Sequence, residues 1–109
     1  QGQTGVSGDQ QAVFATDNDG RVRAFGRERG LLLWVNEQFL LRRLSNPVVL
    51  DGSVAFGDVQ GRVYFLNAAN GALQEYQSGD GAAIQNTLVY GGQVITLSRA
   101  GGVIAWRLH

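Results

Sequence analysis

The sequence predicts an all-β chain: a β-propeller fragment of about three four-stranded antiparallel blades, the last lacking its outer strand. Three observations carry this. Glycine-containing turn dipeptides separate short apolar runs, the pattern of runs returns at a period near forty, and no stretch has a convincing helical period. Only Glu37 to Leu44 could form a turn or two, and it reads as a connector.

The dipeptides are Asp19-Gly20, Asp51-Gly52, Gln60-Gly61, Asn70-Gly71, Gly91-Gly92 and Gly101-Gly102. Glycine tolerates positive φ, and Asn or Asp before it favours two-residue turns whose twist matches that of paired strands. Between them lie runs of mostly four to six residues rich in Val, Phe, Tyr, Ile and Leu, the composition of strands.

Self-comparison aligns these runs. Val13-Phe14-Ala15-Thr16 is followed by Gly20-Arg21-Val22-Arg23-Ala24-Phe25, and Val54-Ala55-Phe56-Gly57 by Gly61-Arg62-Val63-Tyr64-Phe65-Leu66. Val94-Ile95-Thr96-Leu97 is followed in turn by Gly101-Gly102-Val103-Ile104-Ala105-Trp106. The spacing is 41 residues from Val13 to Val54 and from Val22 to Val63, then 40 to Val94 and to Val103. A period near forty with four strand-like runs per unit is that of a propeller blade.

Each unit opens on an inner strand, seen at Asn46 to Leu50 and Asn86 to Tyr90 and less clearly at Thr4 to Ser7. The aligned pair forms the second and third strands. Leu31 to Val35 and Ala72 to Tyr76 supply the fourth, and the third unit reaches Leu108 without one. The units span about 4–36, 45–77 and 85–108 within a single partial propeller, 1–109. Three blades cannot close a ring, so the expectation is the C-terminal blades of a larger propeller, or several copies sharing one. Either leaves an unpaired sheet edge and two uncovered blade faces, so the chain is expected to self-associate or pack against missing blades.

Apolar patterning supports stacked blades. Val63 to Leu66 and Val103 to Trp106 are apolar on both alternating sets, which predicts burial on both faces. The first unit alternates, with Arg21 and Arg23 opposite Val22 and Ala24, which predicts one wetter face. Strands this short do not suit an outer-membrane barrel, whose strands need about 9–11 residues.

Composition removes most chemistry. The 109 residues hold nine Arg against six Asp and three Glu, a formal net charge of zero that argues against nucleic acid as a partner. There is no Cys, and His109 is the only His, which leaves no thiolate site and no His-based triad or zinc site. The longest strictly apolar run, Leu31 to Val35, is too short for a transmembrane helix. No signal-peptide pattern opens the sequence.

At the third and fourth strands the repeat becomes specific. Ala24-Phe25-Gly26-Arg27-Glu28-Arg29-Gly30-Leu31-Leu32-Leu33-Trp34 resembles the quinoprotein-type propeller repeat, A-x-D-x-x-T-G-x-x-x-W. Ala24, Gly30 and Trp34 match, while Gly26 and Arg29 depart from the Asp and Thr. In the second unit Asn67 and Asn70-Gly71 hold the equivalent places, and Glu75 or Tyr76 replaces the Trp.

The longer stretch Phe39-Leu40-Leu41-Arg42-Arg43-Leu44-Ser45-Asn46-Pro47-Val48-Val49, with Gly57-Asp58 and Gly61-Arg62-Val63-Tyr64, resembles the last blades of the BamB family of outer-membrane protein assembly factors. The resemblance runs on through Asn70-Gly71, Gln85-Asn86 and Gly101-Gly102-Val103. It implies an eight-bladed periplasmic propeller, attached to the inner face of the outer membrane by an N-terminal lipid absent from this chain. It further implies a non-catalytic scaffold whose partners are the periplasmic domain of BamA and unfolded outer-membrane proteins. The alternative is a fragment of a pyrroloquinoline-quinone-dependent dehydrogenase propeller. Such an enzyme needs calcium ligands, a catalytic carboxylate and an aromatic floor, and no such constellation is visible.

No catalytic, cofactor-binding or metal-binding residue is therefore assigned, and no cofactor is expected. Asp17-Asn18-Asp19-Gly20 begins like a calcium loop but lacks the later acidic ligands, so it reads as a polar hairpin turn. Trp34 and Trp106 read as packing residues. Gly26 to Gly30 is followed by a strand and not a helix, so it is no phosphate loop. Arg42 and Arg43, the only adjacent basic pair, are the candidate partner-binding residues, because arginine beside apolar residues is enriched at protein interfaces. Against that stands a connector whose arginines pair locally or face solvent.

Overall fold

The computed structural model describes residues 3–8 and 11–108. The glycine-punctuated runs form eleven strands among these residues: β1 (Gln3–Gly8), β2 (Ala12–Asp17), β3 (Val22–Gly26), β4 (Leu32–Asn36), β5 (Val48–Leu50), β6 (Ser53–Gly57), β7 (Arg62–Asn67), β8 (Leu73–Ser78), β9 (Ile84–Tyr90), β10 (Gln93–Ser98) and β11 (Val103–Trp106). No helix occurs among them. Consecutive strands pair antiparallel into three separate sheets, β1-β2-β3-β4, β5-β6-β7-β8 and β9-β10-β11. These are three propeller blades, the third with three strands.

The turns divide into kinds that the dipeptides did not separate. Asp51-Gly52 and Gly91-Gly92 carry two successive positive φ angles, 51° with 79° and 59° with 73°, the two-residue hairpin turn expected of them. Asp19-Gly20, Gln60-Gly61 and Gly101-Gly102 instead end wider β2–β3, β6–β7 and β10–β11 turns, each with one glycine at positive φ. In all three the glycine amide donates to the carbonyl three residues back, at Asp17, Asp58 or Ser98. The side chain of that same residue closes the turn. Asp17 Oδ1 accepts from the Asp19 and Arg21 amides, Asp58 Oδ1 from the Gln60 and Arg62 amides, and Ser98 Oγ from the Gly102 amide. These local bonds satisfy backbone donors that the ladder leaves free.

Two apolar layers lie between the blades. Alternation along each strand sends neighbouring side chains to opposite faces. Phe14, Val22 and Ala24 of the first blade therefore meet Val54, Phe56, Tyr64 and Leu66 of the second. The second blade's other set, Ala55, Val63 and Phe65, meets Ile84, Val94 and Trp106 of the third. The middle blade is buried on both faces as its sequence predicts. The third is not: Val103 is 65% exposed while Trp106 is buried. Its apolar second set faces away from the middle blade, and no further blade among the described residues covers it. In the first blade Arg23 lies on the uncovered set, matching the wetter face its alternation predicts.

Both tryptophans are packing residues. Trp106 is buried and donates from Nε1 to Thr96 Oγ1 at 2.7 Å. Trp34 reaches across to the second blade and donates to the Ala68 carbonyl at 3.0 Å.

Candidate functional site

The connector from Glu37 to Pro47 carries the candidate arginines, and its path decides what they do. Asn36 starts it: its Oδ1 accepts from the Gln38 amide and its Nδ2 donates to the Gly71 carbonyl. Phe39 then turns inward between Phe56 and Tyr64, with ring centroids 5.2 and 4.5 Å away. Its backbone lies against the β2–β3 turn so closely that a Cβ on Gly20 would stand 1.9 Å from the Phe39 oxygen. The chain reverses at Leu41, a non-glycine residue at φ 69°, whose side chain is almost fully exposed.

That reversal separates the two arginines. Arg42 is half-buried and donates from Nη1 to the Tyr64 hydroxyl at 2.6 Å. The hydroxyl in turn donates to Asp58 Oδ2 at 2.7 Å, and Asp58 is fully buried. Burial, followed by the Asp58 carboxylate, raises the Tyr64 hydroxyl above the ordinary tyrosine pKa, so it stays a neutral donor. Arg42 is thus a strut on an internal network. Arg43 is exposed and has no ion pair or side-chain hydrogen bond among the described residues. It lines a cleft of about 360 Å³ shared with Asn18, Val59, Ile84, Gln85 and Arg99.

Below the arginines the connector becomes a three-blade junction that the sequence did not reveal. Thr16 of the first blade donates to the Ser45 carbonyl at 3.1 Å. Ser45 Oγ accepts from the Gly57 amide of the second blade at 2.8 Å and bonds Thr87 Oγ1 of the third. Asn46 holds the Thr87 backbone from both sides, Nδ2 to its carbonyl at 2.7 Å and Oδ1 from its amide at 3.0 Å. Asn46 and Pro47 were expected inside the inner strand. That strand starts at Val48, because Asn46 is bonded to the third blade and Pro47 lacks an amide hydrogen for the ladder.

The Asp17-Asn18-Asp19-Gly20 segment is a turn, with Asp17 Oδ2 bonded to Arg23 Nη1 at 2.7 Å. Among the described residues no group of three or more His, Asp or Glu could hold a metal. At the opposite end of the blades a second cleft, of about 470 Å³, is lined by Leu50, Asp51, Phe65, Trp106 and Arg107. Asp51 is its one carboxylate, so the lining contains no acid–base pair.

The blade geometry agrees with a family profile described as outer membrane protein assembly factor BamB, which matches residues 2–109. The chain belongs to the BamB family. It is 31% identical to BamB of Burkholderia pseudomallei (strain K96243) over 105 residues, 95% of this chain and 28% of that protein. It is 29% identical to Escherichia coli (strain K12) BamB over 77 residues, 71% of this chain and 20% of that one. The chain thus spans less than a third of the length of the curated BamB relatives it matches. The crystal structure of BamB from Moraxella catarrhalis superposes with a TM-score of 0.88 at 31% identity, covering 94% of this chain and 31% of that one. The computationally designed protein Ika8 superposes at 0.82 with 16% identity, covering 97% and 33%, and shares the fold alone.

Proposed function

We propose that residues 1–109 are one partial propeller of a non-catalytic scaffold, a subunit of the machinery that assembles outer-membrane β-barrel proteins. The match to the BamB profile along nearly the whole chain carries this reading. The relatives' shared name supports a place at the periplasmic side of the outer membrane. On this reading the partners are the periplasmic domain of BamA and unfolded outer-membrane proteins. Asp17 and Asp58 support it from the chemical side: both are spent on turns and internal bonds, not aimed at a cavity. Of the arginine pair, Arg43 is assigned the partner contact, since Arg42 is held by Tyr64.

The test is capture of the periplasmic repeats of BamA by full-length Burkholderia BamB, repeated with this chain and the BamA of its own source. Capture by the full-length relative is expected; failure of both proteins to capture BamA would overturn the reading. Capture by this chain as well would place a contact within its three blades.

A further inference from the structure

We infer that the Arg43–Arg99 cleft is a docking site for an extended acidic segment of a protein partner, one that alternates carboxylate and apolar side chains. The inference deepens the scaffold reading and rests on it only for the class of partner.

The charge balance is uneven in space. Arg21 is paired with Asp19 and Glu37, Arg23 with Asp17, and Arg42 with Tyr64 in front of Asp58. Arg43 and Arg99 are exposed and lack any such partner among the described residues, yet they come from the first connector and from the β10–β11 turn of the third blade to line one cleft. No carboxylate lines it. Asp80 lies on the neighbouring connector, but its Oδ1 accepts the Ala82 amide and its Oδ2 sits toward Gly102. Two uncompensated guanidiniums at the rim of a concave surface attract negative charge, and guanidinium matches carboxylate geometry with paired donors.

The floor distinguishes a peptide from a free oxyanion. A phosphate cradle needs converging backbone amides. Here the Ser45, Ile84 and Arg99 amides are already bonded to Gly57, Asp58 and Ala83 carbonyls. What remains open is apolar or amide: Val59 is 44% exposed, and Asn18 and Gln85 stand beside it. Two guanidiniums and an exposed valine along one cleft together fit carboxylates spaced along a chain, with an aliphatic side chain between them.

The test is fluorescence anisotropy of a dye-labelled peptide alternating Asp and Leu, titrated with the 109-residue chain at low salt. Binding is expected, weakened about 1.5- to fivefold by Arg43→Ala and by Arg99→Ala, the usual worth of one exposed ion pair. Arg107→Ala, the same charge change at the opposite end of the blades, should leave it unchanged. Arg43→Glu should reject the Asp–Leu peptide, and the Arg43→Glu/Arg99→Glu double variant should accept a Lys–Leu one, a gain that a misfolded variant could not produce. The inference falls if the Asp–Leu peptide does not bind or an Asn–Leu peptide binds equally well. It also falls if Arg107→Ala weakens binding as much as Arg43→Ala, or if millimolar phosphate displaces the peptide. If BamA capture persists while the peptide arm fails, this site is lost and the scaffold reading stands; the converse removes only the scaffold reading.

Discussion

Trp34, in the outer strand of the first blade, seats on Gly71 in the β7–β8 turn of the second. A Cβ placed on Gly71 would stand 2.5 Å from Trp34 Cε3 and 2.6 Å from Cδ2. The indole also donates to Ala68, three residues before Gly71. One side chain therefore fixes the spacing of two blades, and it needs a residue without a side chain opposite it.

Gly71→Ala is accordingly expected to cost about 2–4 kcal/mol, combining overpacking against a ring with alanine forced to φ 77°. Gly30→Ala is the control. Its φ is 66°, but nothing lies within 4 Å of the added carbon, so only the backbone cost of about 1 kcal/mol applies. Urea midpoints of the two variants measure the difference; equal losses would mean that Trp34 does not set the spacing.

At the three-blade junction, Asn46→Ala removes two bonds to the Thr87 backbone, and Ser45→Ala leaves the Gly57 amide unbonded inside the protein. Each is expected to cost about 1–3 kcal/mol. Because Ser45 and Asn46 both engage Thr87, the double variant should lose less than the two single losses combined. A double-mutant cycle by denaturant unfolding reads the coupling, and strict additivity would show that the bonds act separately.

These two sites mark what was legible in the sequence. Strand positions were, because glycine turns and apolar runs are local signals repeated at one period. Trp34 and Trp106 were legible as packing residues for the same reason. Ser45 and Phe39 were not: each is buried by blades that lie distant in sequence, and neither sits in a periodic run. Nor did the sequence separate Arg42 from Arg43. Which of two neighbours turns inward depends on the reversal at Leu41, and leucine carries no turn signal. The one-sided burial of β11 was missed because an apolar pattern reports what a strand can bury, not which neighbours are present.

Asp17 predicts a pH dependence. Burial opposes its ionisation, but the Arg21 amide, the Arg23 guanidinium and the Asp19 amide together hold its carboxyl below the ordinary 3.8. A folded pKa below the unfolded one adds stability that is complete above the unfolded value and disappears as pH falls through the folded value. Asp17→Asn should therefore be less stable than the parent at pH 7, by about 1 kcal/mol given the partly exposed Arg23 partner. The gap should begin to close as pH falls through about 4 and be gone once pH is below the folded value. Thermal unfolding at neutral and acid pH checks this; a gap that persists undiminished at pH 2 would assign the loss to packing.

The uncovered blade faces predict association. Leu33 is 55% exposed and Val35 40%, on the side of β4 opposite Trp34. Val103, 65% exposed, lies on the side of β11 opposite Trp106. These are different surfaces at opposite ends of the blade stack, so contact between them is head to tail and can propagate from copy to copy. Light scattering of the isolated chain should show mass rising with concentration, beyond a dimer. Leu33→Lys and Val103→Lys each spoil one end, so each variant alone should be shifted strongly toward monomer. Mixed together they retain one good end apiece and should form a dimer and nothing larger. A parent that stays monomeric throughout would show that the exposed faces are too wet or too mobile to pair. A mixture that assembles like the parent would place the contact elsewhere, at the unpaired edge of β11, where Val103→Pro should then block it.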